Sequence, residues 1–210
     1  MKKTLTEIHE DVPADHYDKG YHHNILQKYW HSRRIIEIKR MLPTQLGKIL
    51  DVGCHAGFIT ENILRAVEYQ TLDGIDISKQ AIKHAKKRIK QGNFVVGDAH
   101  ELPYKQNQFD SLFCFEALEH LENPPIVIKE MKRVLKKNGA IYILVPTDNL
   151  LFRSIWKLWN QVYPIWKHAH VQSFQSDRLV ELLIANGFTI EKVKRFHSNM
   201  LLLVKARKIS

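Results

Sequence analysis

Cysteine is scarce in this chain. The two present in 210 residues, Cys54 and Cys114, cannot form a disulfide framework or a cysteine-rich metal site. A reducing cytoplasm is the expected address. Long apolar runs are missing too, and no stretch approaches the ~18 residues that a membrane-spanning helix needs. The first residues, Met-Lys-Lys-Thr-Leu-Thr-Glu, have the basic start of a signal peptide without an apolar core behind it. There is no internal repeat and no low-complexity tract, and a second full domain would be a squeeze beside one well-buried α/β unit. Hydrophobic content of 44% and charged content of 26% match an ordinary globular protein. Acids are outnumbered, 22 against 32 lysines and arginines, for a net charge of +10. That balance suits nucleic acid, an anionic membrane surface or an anionic substrate. One concentrated source is residues 78–92, where Lys79, Lys83, Lys86, Lys87 and Lys90 share a helical face opposite Ile82, Ala85 and Ile89. A solvated amphipathic helix accounts for that stripe.

What is present is an alternation of short apolar runs with helical segments. Residues 24–42 read as a helix that Pro43 ends. Strands are predicted at K-I-L-D-V, T-L-D-G-I-D, N-F-V-V-G, F-D-S-L-F-C-F and A-I-Y-I-L-V-P, with helices near 57–67, 78–90 and 124–136 between them. Repeated βα units predict a mostly parallel sheet with helices on both faces. A helix near 176–185 stops at Asn186-Gly187. F-T-I-E-K-V-K-R-F and N-M-L-L-L-V-K-A-R then read as an antiparallel hairpin turned by His197 and Ser198 alone.

The stretch I-L-D-V-G-C-H-A-G-F-I-T carries an acid, Asp51, and two glycines, Gly53 and Gly57, with His55 between them. Such a turn lies at the carboxyl end of the first strand, where open α/β sheets bind ligands. About 20 residues further on, Asp76 ends the second strand in G-I-D-I-S, placed to accept hydrogen bonds from both hydroxyls of a ribose. Asp98 ends the third strand in V-V-G-D-A-H, where it suits an adenine amino group with the Ala99 backbone beside the ring. Each acid alone reads as a helix cap or turn former. At three successive strand ends they read as a binding site, with Cys54, His55, Ile77 and Phe115 as further lining.

With these motifs, the chain from about residue 48 to 146 closely resembles the class I S-adenosylmethionine-dependent methyltransferases, particularly the small-molecule group related to ubiquinone and menaquinone biosynthesis. V-G-D-A-H-E-L-P-Y, F-D-S-L-F-C-F-E-A-L-E-H-L and L-K-K-N-G-A-I-Y-I-L-V-P extend the match. The resemblance implies a Rossmann-like α/β fold whose seven-stranded sheet ends with one antiparallel strand. It implies S-adenosylmethionine as cofactor and S-adenosylhomocysteine as product. Asp51, Gly53 and Gly57 would surround the methionine part, Asp76 the ribose, and Asp98 with Ala99 the adenine. The family commonly has glycine where this chain has His55, whose β-carbon restricts φ. Its side chain is expected to turn outward, with contact to the cofactor as the alternative.

Methyl transfer is an in-line displacement in which the protein chiefly supplies alignment and a dry pocket, so a catalytic base is optional. The sharpest candidate for extra chemistry is Glu116-Ala-Leu-Glu119-His120. Glu116, Glu119 and His120 fall on one face of a turn or helix start, so two carboxylates and an imidazole could converge. This set looks like the divalent-metal ligands of the ubiquinone-pathway O-methyltransferases and of the small-RNA 3′-terminal 2′-O-methyltransferases, which would make Mg²⁺ a candidate. Other readings are His120 as a substrate-side base or hydrogen-bonding group, with Glu116, and a purely structural role.

Specificity is expected at the two ends of the chain. One cofactor-binding core (46–147) would be flanked by an N-terminal cap (1–45), an aromatic insert (148–175) and a final helix and hairpin (176–210). In the insert, Phe152, Trp156, Trp159 and Tyr163 make an aromatic stripe that Leu151, Ile155, Leu158 and Val162 widen. A lid packed over the pocket and a peripheral membrane contact through 149–166 both fit it. Trp156, Trp159, His168 and His170 are the candidate acceptor contacts, and Tyr17 and Tyr21 candidates for the cofactor carboxylate. A small, aromatic or lipid-like acceptor methylated on O or N is the leading expectation. An RNA methyltransferase and a non-catalytic cofactor-binding subunit are the alternatives. Nucleic acid is disfavoured because no separate RNA-binding module is visible, and F-E-A-L-E-H replaces the N-P-P-Y type of loop.

Overall fold

A computed structural model of the protein describes residues 15–155 and 177–209, together with Pro13 and Phe174. Helices α1 (His16–His23) and α2 (Ile25–Met41) come first, and Asn24 caps α2 by accepting from the backbone of Leu26 and Gln27. The strands are β1 (Lys48–Val52), β2 (Thr71–Asp76), β3 (Asn93–Val96), β4 (Phe109–Phe115), β5 (Leu135–Pro146), β6 (Phe188–Phe196) and β7 (Leu201–Lys208). Between them lie α3 (Phe58–Leu64), α4 (Lys79–Arg88), α5 (Pro124–Val134) and α6 (Arg178–Ala185).

The seven strands pair in the order β3-β2-β1-β4-β5-β7-β6. Pairing is parallel from β3 through β5, and β7 runs against both of its neighbours. The mostly parallel sheet with one reversed strand therefore stands as expected. Alternation of side chains across each strand builds the core on both faces. Leu50, Val52, Leu112, Cys114, Ile141 and Ile143 face α5 and α6, and Ile49, Phe113, Tyr142 and Leu144 face α2, α3 and α4. Both faces are covered, which is why the central strands read as continuous apolar runs.

Several boundaries differ from expectation, two of them with a visible cause. β5 begins at Leu135 rather than Ala140, because a register shift between Phe109 and Ser111 takes up the intervening residues. The last hairpin has four turn residues, not two. His197, Ser198 and Asn199 all have positive φ, and Met200 closes the turn by donating to the His197 carbonyl at 3.0 Å.

The strand order reverses beside β1, and the connections leaving the carboxyl ends of β1, β2 and β4 meet there. Arg88 of α4 ties this corner together. It donates to the Ala56 carbonyl at 2.9 Å and to Glu61 at 3.0 Å, and it pairs with Asp18 of α1. α1 is thereby held over the glycine turn.

Candidate functional site

A cleft of about 270 Å³ opens at this corner. Its floor is the β1–α3 turn. Gly53 leaves β1 at φ +74° and donates to the Ile75 carbonyl at 2.8 Å. A Cβ there would come within 2.3 Å of the Ala117 Cβ, so both φ and space demand glycine. Gly57, at φ +73°, starts α3. It is not among the residues that line the cleft.

His55 adopts φ +46°, the left-handed conformation that costs a residue with a β-carbon. Its side chain does not turn outward as expected. Both ring nitrogens are buried, and the residue lines the cleft. Its backbone N–H donates to Asp76 Oδ2 at 2.8 Å, while Ser78 N–H donates to Asp76 Oδ1 at 2.9 Å. One carboxylate thus joins the glycine turn to the start of α4 and keeps further acceptor capacity toward the cleft.

Asp51 is 3% exposed and accepts a hydrogen bond from the Thr60 hydroxyl. Burial pushes its carboxyl up to about 7 against that hydrogen bond, and the Asp76 charge adds to the rise. Burial also raises the thiols of Cys54 and Cys114, so neither is a thiolate nucleophile at neutral pH. On the far wall, Asp98 Oδ1 accepts from both the His100 N–H at 2.9 Å and the His100 ring at 2.6 Å. Burial would raise Asp98, but these two bonds outweigh it and hold the carboxyl below its ordinary value. The other ring nitrogen of His100 meets the Glu122 carbonyl, so His100 fastens the β3 exit to the loop before α5.

The Glu116–His120 segment leaves β4 in a short 3-10 turn, Leu118–His120. Glu116 (φ +52°) and His120 (8% exposed) line the cleft beside Phe115. They do not gather with Glu119 into a ligand set. Glu116 pairs with the buried Arg34 of α2, and Glu119 is 2% exposed and not among the lining residues. Burial pushes the Glu119 carboxyl up to about 8; its own backbone N–H and Arg34 oppose the rise, and Asp148 adds to it. Among the described residues, no group of three or more His, Cys, Asp or Glu could hold a metal ion.

Of the expected cofactor residues, Asp51, Gly53, Cys54, His55, Asp76, Ile77, Asp98, Ala99 and Phe115 come together in this one cleft. Trp156, Trp159, His168 and His170 lie outside the described residues, and the Tyr17 side chain is likewise not described. Tyr21 packs on Phe58, ring centroids 5.4 Å apart, at the cap over the turn. Sequence reasoning passed over Phe58, Thr60, His100 and Arg34. Thr60 and Phe58 carry a signal, since a residue just after the second glycine starts the helix that backs the turn. Arg34 carries none, lying a whole cap segment away from Glu116.

The assembled groups suit a particular ligand. Unlike the basic chain as a whole, the cleft is rich in carboxylates, which favours a cationic guest. Strand-end acids offer acceptors for hydroxyls and an amine, and the glycine turn lets a ligand approach the backbone.

The family model described as a methyltransferase domain matches residues 50–143. A demethylmenaquinone methyltransferase of Thermotoga maritima is 31% identical over 186 residues, covering 79% of this chain and 80% of that protein. A ubiquinone biosynthesis O-methyltransferase of Pelagibacter ubique is 29% identical, with 76% and 68% covered. Among solved structures, a possible histamine N-methyltransferase of Thermotoga maritima superposes with a TM-score of 0.76 at 19% identity, over 98% of this chain and 100% of that one. A magnesium protoporphyrin IX methyltransferase from Synechocystis with bound SAH gives 0.74 at 17% identity, over 97% and 98%. At these identities the solved structures speak to the fold.

Proposed function

Since the chain belongs to the class I S-adenosylmethionine-dependent methyltransferases, we propose that it methylates an oxygen or nitrogen of a small aromatic or lipid-like acceptor at this cleft. The observation that carries the reading is the meeting of the glycine turn, the strand-end acids and His120 in one hollow. The cofactor supplies an electrophilic methyl group. The turn from Gly53 to Gly57 offers its backbone to the amino-acid end, with Asp51 as counter-charge. Asp76 accepts from the ribose hydroxyls with the lone pairs that His55 and Ser78 leave open, and Asp98 and Ala99 border the adenine. Ile77, Cys54 and Phe115 exclude water from the bound molecule.

His120 then faces the acceptor. Its imidazole takes the proton that the acceptor's hydroxyl or amine releases as the new bond to carbon forms. Glu116, tied to Arg34, positions the turn that carries it. The described parts of the cap and of the insert, residues 15–45 and 148–155, border the acceptor side. Supporting an apolar acceptor, Ile25, Leu26 and Tyr29 are exposed on α2, and Leu150, Leu151 and Ile155 on the helical residues 150–155. Both groups border the last hairpin: the Tyr29 ring lies 5.6 Å from the His197 ring, and Asn149 Nδ2 donates to the Ser198 carbonyl at 3.0 Å.

A screen of methyl transfer to phenolic, catecholic, isoprenoid-quinol and amine acceptors tests this. With an accepted substrate, His120→Ala should lower kcat by roughly 10²–10⁴-fold while cofactor affinity stays near wild type. Turnover of the variant at the wild-type rate would remove His120 from the chemistry. Transfer only to hydrophilic acceptors would overturn the acceptor class.

A further inference from the structure

A second hollow lies at the opposite end of the sheet, where β4 and β5 begin and the reversed strand β7 ends. It is open, about 510 Å³, and lined by Asn107, Lys129, Lys132, Arg133, Lys137 and Lys208 with Gln106 at its edge. Lys208 forms its floor at only 6% exposure. The ammonium donates to Asn107 Oδ1 at 2.8 Å, to the Lys132 carbonyl at 2.9 Å and to the Leu135 carbonyl at 2.6 Å. All three acceptors are neutral. A buried cation satisfied in hydrogen bonds but not in charge is costly unless an anion compensates it.

Among the described residues, the surroundings provide no such anion. Arg133 is consumed by a two-pronged pair with Glu130, at 2.7 Å on each arm. Lys136 goes to Asp110 at 2.8 Å. Among the described residues, no carboxylate pairs with Lys129, Lys132 or Lys137. Three free ammonium groups therefore rim a hollow whose floor is a fourth. Burial, with repulsion from Lys132, already holds the Lys208 amine below its ordinary value.

We propose that this hollow is a binding site for a small oligophosphate anion, separate from the methyl-transfer cleft. The rim lysines meet the phosphate oxygens directly, the amides of Gln106 and Asn107 offer neutral donors, and Lys208 supports the charge from beneath. A nucleic-acid backbone would need a groove that tracks successive phosphates and aromatic side chains to stack its bases. Among the described residues, the hollow has no aromatic lining.

The test is calorimetric titration of inorganic pyrophosphate into the full chain with S-adenosylhomocysteine saturating the first cleft. Saturable one-site binding is expected. It should weaken by roughly 10-fold or more in Lys132→Gln/Lys137→Gln, which loses two charge-assisted contacts. It should hold within about 2-fold in Lys83→Gln/Lys87→Gln, which removes equal charge from α4. Absence of saturable binding to the wild-type chain would overturn the site. So would equal weakening in both double variants, because binding would then follow net charge alone. A single-stranded oligonucleotide that displaces pyrophosphate and depends steeply on salt and on both lysine pairs would mark the surface as a backbone track instead.

Discussion

The two ends of this sheet carry opposite charge. At the carboxyl ends of β1, β2, β3 and β4, the cleft gathers Asp51, Asp76, Asp98, Glu116 and Glu122, in a chain whose net charge is +10. At the other end, Lys129, Lys132, Lys137 and Lys208 surround a hollow with no carboxylate among its described lining residues. Overall charge therefore says little about what either surface binds. The acid end is assembled by backbone geometry: a turn at positive φ and carboxylates bonded to main-chain N–H groups. The basic end is assembled around one buried lysine, whose ammonium donates to two main-chain carbonyls and one side-chain amide.

Removing Arg34, a cation buried at the acid end, should have the largest effect. Arg34→Met leaves Glu116 without its partner and Glu119 without the opposing charge that moderates it. A loss of about 3–5 kcal/mol in denaturant unfolding is expected. A loss below about 1 kcal/mol would mean that the pair is not a determinant of this end. Gly53→Ala should cost about 2–4 kcal/mol, combining the left-handed φ with the Ala117 contact. Thermal unfolding of the free protein checks it. At the basic end, Lys208→Met withdraws a donor from the Leu135 and Lys132 carbonyls, for about 1–3 kcal/mol. If it were instead stabilising, relief of uncompensated charge would outweigh the lost bonds.

Asp51→Asn sharpens the contrast with pH. The Asp51 carboxyl titrates near 7 when folded against an ordinary 3.8, so the folded protein holds a proton that the unfolded chain releases. Its contribution to stability is fully present below the ordinary value and is lost as pH rises through 7. The asparagine variant, which keeps an acceptor for Thr60, should thus be more stable than wild type by on the order of 1–3 kcal/mol near pH 8, with the gain vanishing near pH 4. Wild-type affinity for the cationic cofactor should rise across the same interval as the carboxylate ionises. In the variant it should be weaker and flat. The smallest effect belongs to His55→Gly, where relief of the φ +46° backbone opposes the greater entropy of glycine. A change within about 1 kcal/mol, with cofactor binding retained, is expected.

Much of the acid end was legible in the sequence because local rules dictate it. A strand that stops at an acid, a turn that requires Gly53, and acids at successive strand ends follow from short spacings. Of β1, β2, β4 and β6 even the end residues agree. Legibility failed where distant segments meet. Arg34 reaches Glu116 from the cap, His100 bridges to the Glu122 carbonyl, and the basic hollow joins Asn107, Lys132 and Lys208 from three elements. His55 misled because a residue standing where the family commonly has glycine reads as a tolerated replacement with its side chain turned outward. The β5 start was missed because a register shift hides in a polar stretch that reads as loop. Convergence of Glu116, Glu119 and His120 failed for a different reason: the 3-10 turn buries Glu119 while Arg34 holds Glu116.

The most direct test is calorimetric titration of S-adenosylmethionine into the wild-type chain and Asp76→Ala, with thermal unfolding of each to establish that both are folded. The account predicts one-site binding to wild type, weakened by roughly 10-fold or more in the variant, because the carboxylate both accepts from the ligand and ties His55 to Ser78. Equal affinity in a folded variant would contradict the placing of the cofactor in this cleft.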